Sequence, residues 1–172
     1  MILLLMLTIG LVGCNNTEKE PELKTNYFTI DSVEYSLSKG LLEEFEDNSG
    51  FYASLVLTKG IDYVSSSFNG NGEFISFEFF ITSNNLLSGT YSFSDFPNRT
   101  PDSYARNLIL VEYDPVGMTN KEAYGGTSGE VIVNIDGDIY TIDFDLIVEK
   151  DTMGSLEIKK VKGNFTGMLT KI

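Results

Sequence analysis

The side chains able to do chemistry in this chain are few and mostly of one kind. Its 172 residues include 25 Asp and Glu but no His and no Trp, and the sole Cys is Cys14. Beyond residue 14 this excludes a disulfide, a thiol nucleophile, an imidazole base and a Cys/His metal site. Carboxylates remain. Asp136, Asp138, Asp143 and Asp145 offer the hard oxygen donors that calcium takes. Carboxylates two residues apart on a strand share a face at about 7 Å. Asp136, Asp143 and Asp145 are the candidate metal ligands, because alternation turns Asp138 away from Asp143. The competing reading is a hairpin turn followed by a solvated sheet face whose charges discourage edge pairing. It is the stronger of the two, and no metal or cofactor is expected.

Other groupings fare no better as catalytic machinery. Glycosidase chemistry needs two acids about 5 to 10 Å apart across a cleft. Glu43 with Glu44, or Glu112 with Asp114, could supply them, but acids are abundant here and nothing sets these pairs apart. Gly125-Gly126-Thr127-Ser128-Gly129 has the composition of a phosphate cradle. Such cradles lead into a helix and carry a Lys, whereas a strand follows here, so the run reads as a flexible loop. With 12 Lys and Arg the formal charge is −13, which repels phosphate backbones and argues against a nucleic-acid partner. Catalytic residues are therefore not expected, and the chain does not read as an enzyme.

Recognition is the alternative, and it needs side chains on loops held by a rigid scaffold. The longest irregular stretches are Ser94 to Tyr104 and Asp114 to Thr127, which carry Phe96, Tyr104 and Tyr124. Aromatic rings on loops lack strand partners to bury them, so these three are the candidate ligand-binding residues.

The elements that must carry those loops are strands. From Tyr27 onward, β-branched and aromatic runs alternate with Gly, Asn, Asp and Ser clusters. Phe28 to Ile30 and Val33 to Leu37 flank Asp31-Ser32 as a tight hairpin. Phe51 to Thr58 and Glu73 to Thr82 read as central strands, the second with Ile75, Phe77, Phe79 and Ile81 inward. Glu130 to Ile135 turns at Asp136-Gly137 into Asp138 to Val148, where Tyr140, Ile142, Phe144 and Leu146 face the core. Leu156 to Val161 and Asn164 to Leu169 form a closing pair, and Leu41 to Glu46 is the one stretch with helical potential. About nine or ten short antiparallel strands imply an all-β domain, a two-layer sandwich or alternatively a small lipocalin-like barrel.

The N-terminus carries an address. Met1 to Val12 is almost wholly apolar, too short for a span of about 20 residues but suited to a signal sequence. It ends in Leu11-Val12-Gly13-Cys14, which resembles the lipobox of bacterial lipoproteins. That resemblance implies cleavage after residue 13 and lipidation of Cys14, anchoring the protein to a membrane. The opening Met1-Ile2-Leu3 lacks the usual Lys or Arg, which a start codon slightly upstream would explain. Asn15 rather than Asp after the Cys points to the outer membrane. Residues 14–26 are polar and aperiodic and read as a flexible tether, leaving 27–172 as a single domain. Glu18, Glu20 and Glu22 within the tether resemble the surface-export signals of Bacteroidota lipoproteins, implying outward display.

A second resemblance covers most of residues 27–172. The runs Gly129 to Val133, Gly137 to Leu146 and Gly163-Asn164-Phe165-Thr166-Gly167-Met168-Leu169 are similar to the C-terminal meander of small Bacteroidota lipoproteins. It implies an all-β envelope protein and brings no active residues with it. The functional expectation is a lipid-anchored, non-enzymatic domain of the cell envelope that binds a partner or ligand. A glycan-binding accessory module and a lipocalin-like carrier of apolar ligands are the alternatives. The carrier would need a cavity among Phe77, Phe79 and Phe144.

Overall fold

The computed structural model describes residues 24–94, 100–152 and 155–172. Cys14, Phe96 and the signal sequence lie outside them. Period-2 alternation is expressed as ten strands: β1 (Tyr27–Ile30), β2 (Val33–Ser36), β3 (Lys39–Asp47), β4 (Gly50–Val64), β5 (Ser67–Ile81), β6 (Gly89–Phe93), β7 (Ser103–Tyr113), β8 (Glu122–Asp136), β9 (Ile139–Thr152) and β10 (Ser155–Lys171). Among the described residues there is no helix. Leu41 to Glu46, given helical potential above, is strand: Leu42 enters the barrel core while Leu41 joins a cluster on the outer face.

The sheet is closed, which corrects the expected sandwich. The order β10-β3-β4-β5-β7-β6-β8-β9 returns to β10 through the β9–β10 pairing, giving an eight-stranded barrel. Closure depends on β10, whose two edges are both occupied. One pairs with β9 from Met168 back to Ser155. The other pairs parallel with β3 at Leu169–Lys171 and antiparallel with β1 at Val161–Asn164. The expected break between Val161 and Asn164 does not occur. The missing side chain at Gly163 is filled by the Phe144 ring, so the glycine marks close packing within one long strand.

At one end β7 and β8 pair directly, from Leu108↔Gly125 to Val111↔Glu122. Toward the other end they part, and β6 enters between them, parallel to β7 and antiparallel to β8. The Gly125 to Gly129 run read as a loop lies within β8. A Cβ at Gly126 would overlap the Asn107 amide, so that glycine admits a neighbouring side chain.

The barrel interior is packed with side chains. Phe77 has its ring centroid 6.0 Å from that of Phe79, 6.1 Å from Tyr104 and 5.5 Å from Phe144. The β1–β2 hairpin turns at Asp31-Ser32 as expected and delivers Phe28 and Ile30 to the same core, with Tyr35 stacked on Phe28 at 4.9 Å. Residues just before β1 also make contacts with the strands. The Asn26 carbonyl accepts the Leu37 N–H, its side-chain oxygen accepts the Thr166 N–H at 2.7 Å, and Lys24 pairs with Glu34.

Candidate functional site

Two recesses on the outside of this filled barrel collect chemically capable side chains. The first lies at the end where the β1–β2 turn meets the starts of β8 and β10. It encloses about 260 Å³ and is lined by Asp31, Tyr35, Glu122, Tyr124, Glu157 and Lys159, among others. Strand alternation brings them together: Glu122 and Tyr124 are two apart on β8, and Glu157 and Lys159 two apart on β10.

The electrostatics of this mouth are closed on themselves. The Tyr124 hydroxyl donates to Glu122 Oε2 at 2.6 Å, and Lys150 Nζ donates to Glu122 Oε1 at 3.0 Å while lying 5.6 Å from the Tyr124 ring centroid. The Tyr124 hydrogen bond and then Lys150 hold the Glu122 carboxyl below the usual range. Burial, then the bond to Glu122, pushes the Tyr124 phenol far up, so it stays protonated and donating. Lys159 sits between Glu157 at 2.7 Å and Asp31 at 3.0 Å, and both raise its pKa.

Glu73 is the exception near this end. Burial raises its pKa despite a hydrogen bond from the Glu112 backbone, and its Oε2 is buried without a partner. Its charge and that of Glu122 reach the Tyr35 phenol, whose pKa is raised chiefly by burial.

The second recess is a groove of about 270 Å³ on the barrel wall. Its floor is the paired backbone of Phe144 on β9 and Gly163 on β10. Two rows of outward residues flank it in register. One is Ile132–Asp143–Asn164–Tyr27 and the other begins Glu130–Asp145–Lys162. Asn164 Nδ2 donates to Asp143 Oδ1 at 2.6 Å, and Lys162 Nζ pairs with Asp145 Oδ2 at 2.6 Å. Tyr27 is half-buried, with Lys24 Nζ 5.6 Å from its ring centroid.

The expected ligand-binding trio is not assembled as three loop aromatics. Tyr104 and Tyr124 belong to β7 and β8, are 0% and 3% exposed, and sit in the core, because both strands begin earlier than their polar sequences suggest. Tyr124 does line the mouth, whereas the Tyr104 hydroxyl is buried without a partner. The Asn107 amide, at the next inward position of the same strand beyond an irregularity in its pairing with β5, is buried and unpartnered too.

Of the candidate metal ligands, Asp143 and Asp145 share the wall groove, each engaged by a β10 side chain, while Asp136 lies at the exposed β8–β9 turn. Among the described residues no group of three or more acidic, His or Cys side chains is placed to hold a metal ion. The residues that sequence reasoning passed over are Tyr27, Lys162 and Asn164. Their alternation was visible, but reading Gly163 as a turn hid the fact that they face one way. No family model, curated protein or solved structure matches the chain.

Proposed function

We propose that this chain is a lipid-anchored protein of the bacterial cell envelope, related to the small Bacteroidota lipoproteins, that works by binding a partner or ligand on its outer surface and does not catalyse a reaction. The observation that carries the binding reading is the contrast between a barrel interior whose rings touch and two recesses outside it lined by oriented polar side chains. Ligand sites combine a mainly apolar lining with a few placed polar groups, and the wall groove has that character. The fixed ion pairs of the mouth favour recognition over proton exchange, since Glu122 and Lys159 are held in their charged forms. Eight-stranded barrels also serve as carriers of small ligands. Here Phe77, Phe79 and Phe144 fill the space a carrier would use, which weighs against that alternative.

The anchor is argued from Leu11 to Cys14 and the apolar run before it. In cells grown with a palmitate analogue, the wild-type protein should take up the label and sediment with outer membranes. Cys14→Ala should lose the label and leave the membrane fraction, and an unlabelled or unshifted protein would sink the proposal. Outward display predicts that protease added to intact cells removes the domain.

A further inference from the structure

We propose that the wall groove between Tyr27 and Glu130 is a recognition surface for a neutral saccharide, an assignment that rests on the binding reading above and supplies its ligand class. The groove offers the three kinds of contact that a sugar ring uses. Tyr27 provides a half-exposed aromatic ring: Lys24 Nζ approaches one face at 5.6 Å from the centroid, and the C–H face of a pyranose would stack on the other. Asn164 and Asp143 form a planar pair in which each partner has hydrogen-bonding capacity left over: one Asp143 oxygen is engaged, and the amide keeps a second N–H. Lys162 and Asp145 repeat the arrangement one row away, with one of three ammonium protons directed to Asp145 Oδ2. A hydroxyl is both donor and acceptor, so adjacent hydroxyls can be met by such mixed pairs as no simple ion can.

The groups are already oriented. Each sits on a strand, and each pair is bridged across the continuous β9–β10 ladder, so little side-chain freedom is lost on binding. Along the floor the side-chain positions of Phe144 and Gly163 both face inward, so the groove bottoms on paired backbone that a flat ligand can approach. The volume of about 270 Å³ is at the lower limit of small-molecule sites, about 300 Å³, and suits a single ring of a longer chain.

Charge selects among saccharides. Glu130, Asp143 and Asp145 line the groove with Lys162, and Lys24 stands beside the Tyr27 ring already paired with Glu34, within a protein of net charge −13. A sulfated or uronic-acid polymer is repelled, whereas a neutral one is not. The mouth has the same balance, Asp31, Glu122 and Glu157 against Lys159, and differs in that Lys159 is gripped by two carboxylates and the buried Tyr124 hydroxyl is bound to Glu122.

The test is calorimetric titration of the full-length lipidated protein in a detergent without a sugar headgroup. The titrants are neutral oligosaccharides of glucose, mannose, galactose and N-acetylglucosamine, with polygalacturonate and a sulfated glycan as acidic controls. At least one neutral oligosaccharide should bind with an affinity that added salt barely changes, and the acidic polymers should not bind. Tyr27→Ala and Asn164→Ala should each weaken binding about tenfold or more, while Tyr27→Phe retains it and Met118→Ala on a distant exposed loop has no effect. If Tyr27→Ala is misfolded by its melting curve, Asn164→Asp carries the test, since it keeps the shape and sets a second carboxylate against Asp143.

Failure to bind any neutral saccharide overturns the ligand class, and preferential binding of the acidic polymers overturns it as well. Saccharide binding that survives both Tyr27→Ala and Asn164→Asp overturns the groove while leaving the binding reading standing. The anchoring experiment on Cys14 is read independently of all three outcomes.

Discussion

The mouth and the wall of this barrel hold recesses of nearly equal size, about 260 and 270 Å³, built from the same residue types: tyrosine, carboxylate and lysine. They differ in how those groups are used. At the mouth Tyr124 is buried and its hydroxyl is bound to Glu122, which Lys150 also holds, and Lys159 is gripped from two sides. On the wall Tyr27 is half-exposed, and Asp143 and Asp145 each have one oxygen engaged by a β10 side chain. Composition does not separate the two. What separates them is whether a polar group's hydrogen-bonding capacity is consumed inside the fold.

If the comparison is right, stability should follow burial and internal pairing, declining from interior to mouth to wall. The largest effect belongs to the interior. Phe77→Ala removes a ring that touches three others and should cost about 3 to 5 kcal/mol in denaturant unfolding. A loss under about 1 kcal/mol would mean that the interior is loosely packed.

The mouth comes next. Glu122→Gln should cost on the order of 1 kcal/mol at neutral pH, because it breaks a pair whose two side chains are 24% and 28% exposed. Its folded pKa lies below the ordinary 4.5, so the stabilisation is present above that pH and fades as pH falls through the folded value. Melting curves of wild type and variant should therefore converge in acid. Glu73 should behave in the opposite sense. Its raised pKa gives stability that is present below pH 4.5 and lost as pH rises through the folded value, so Glu73→Gln should melt higher than wild type at neutral pH and alike in acid.

The wall should show the smallest effect on folding. Lys162→Gln removes an ion pair whose side chains are 64% and 58% exposed, and should change stability by less than about 0.5 kcal/mol. A larger loss would make the groove a structural strut of the β9–β10 ladder.

How much of this could be read from the residues depends on range. The inward sets Ile75–Phe77–Phe79–Ile81 and Tyr140–Ile142–Phe144–Leu146 were legible because alternation is local, and the Asp31-Ser32 turn because it is local too. The Asp136-Gly137 turn was found within one residue, the loop being Gly137-Asp138. Closure was not legible. A sandwich and a barrel share the same alternation, and only the pairing of Leu169–Lys171 with Gly40–Leu42, over a hundred residues away in sequence, joins the ends. Glycines misled for a related reason. Gly126 and Gly163 read as loop and turn, yet each makes room for a side chain from another strand. The site followed suit: Tyr104 and Tyr124 read as loop aromatics because β7 begins in polar sequence and β8 in glycine-rich sequence.

A barrel whose interior is a packed core leaves its outer surface for recognition. The most direct measurement is aromatic NMR of phenylalanine-labelled protein titrated with a long-chain fatty acid and with a lipid extract of the envelope. No saturable change is expected at Phe77, Phe79 or Phe144, because their rings are already in contact with one another or with Tyr104. Saturable shifts at those three residues would show that the interior opens to an apolar guest and would contradict the packed core.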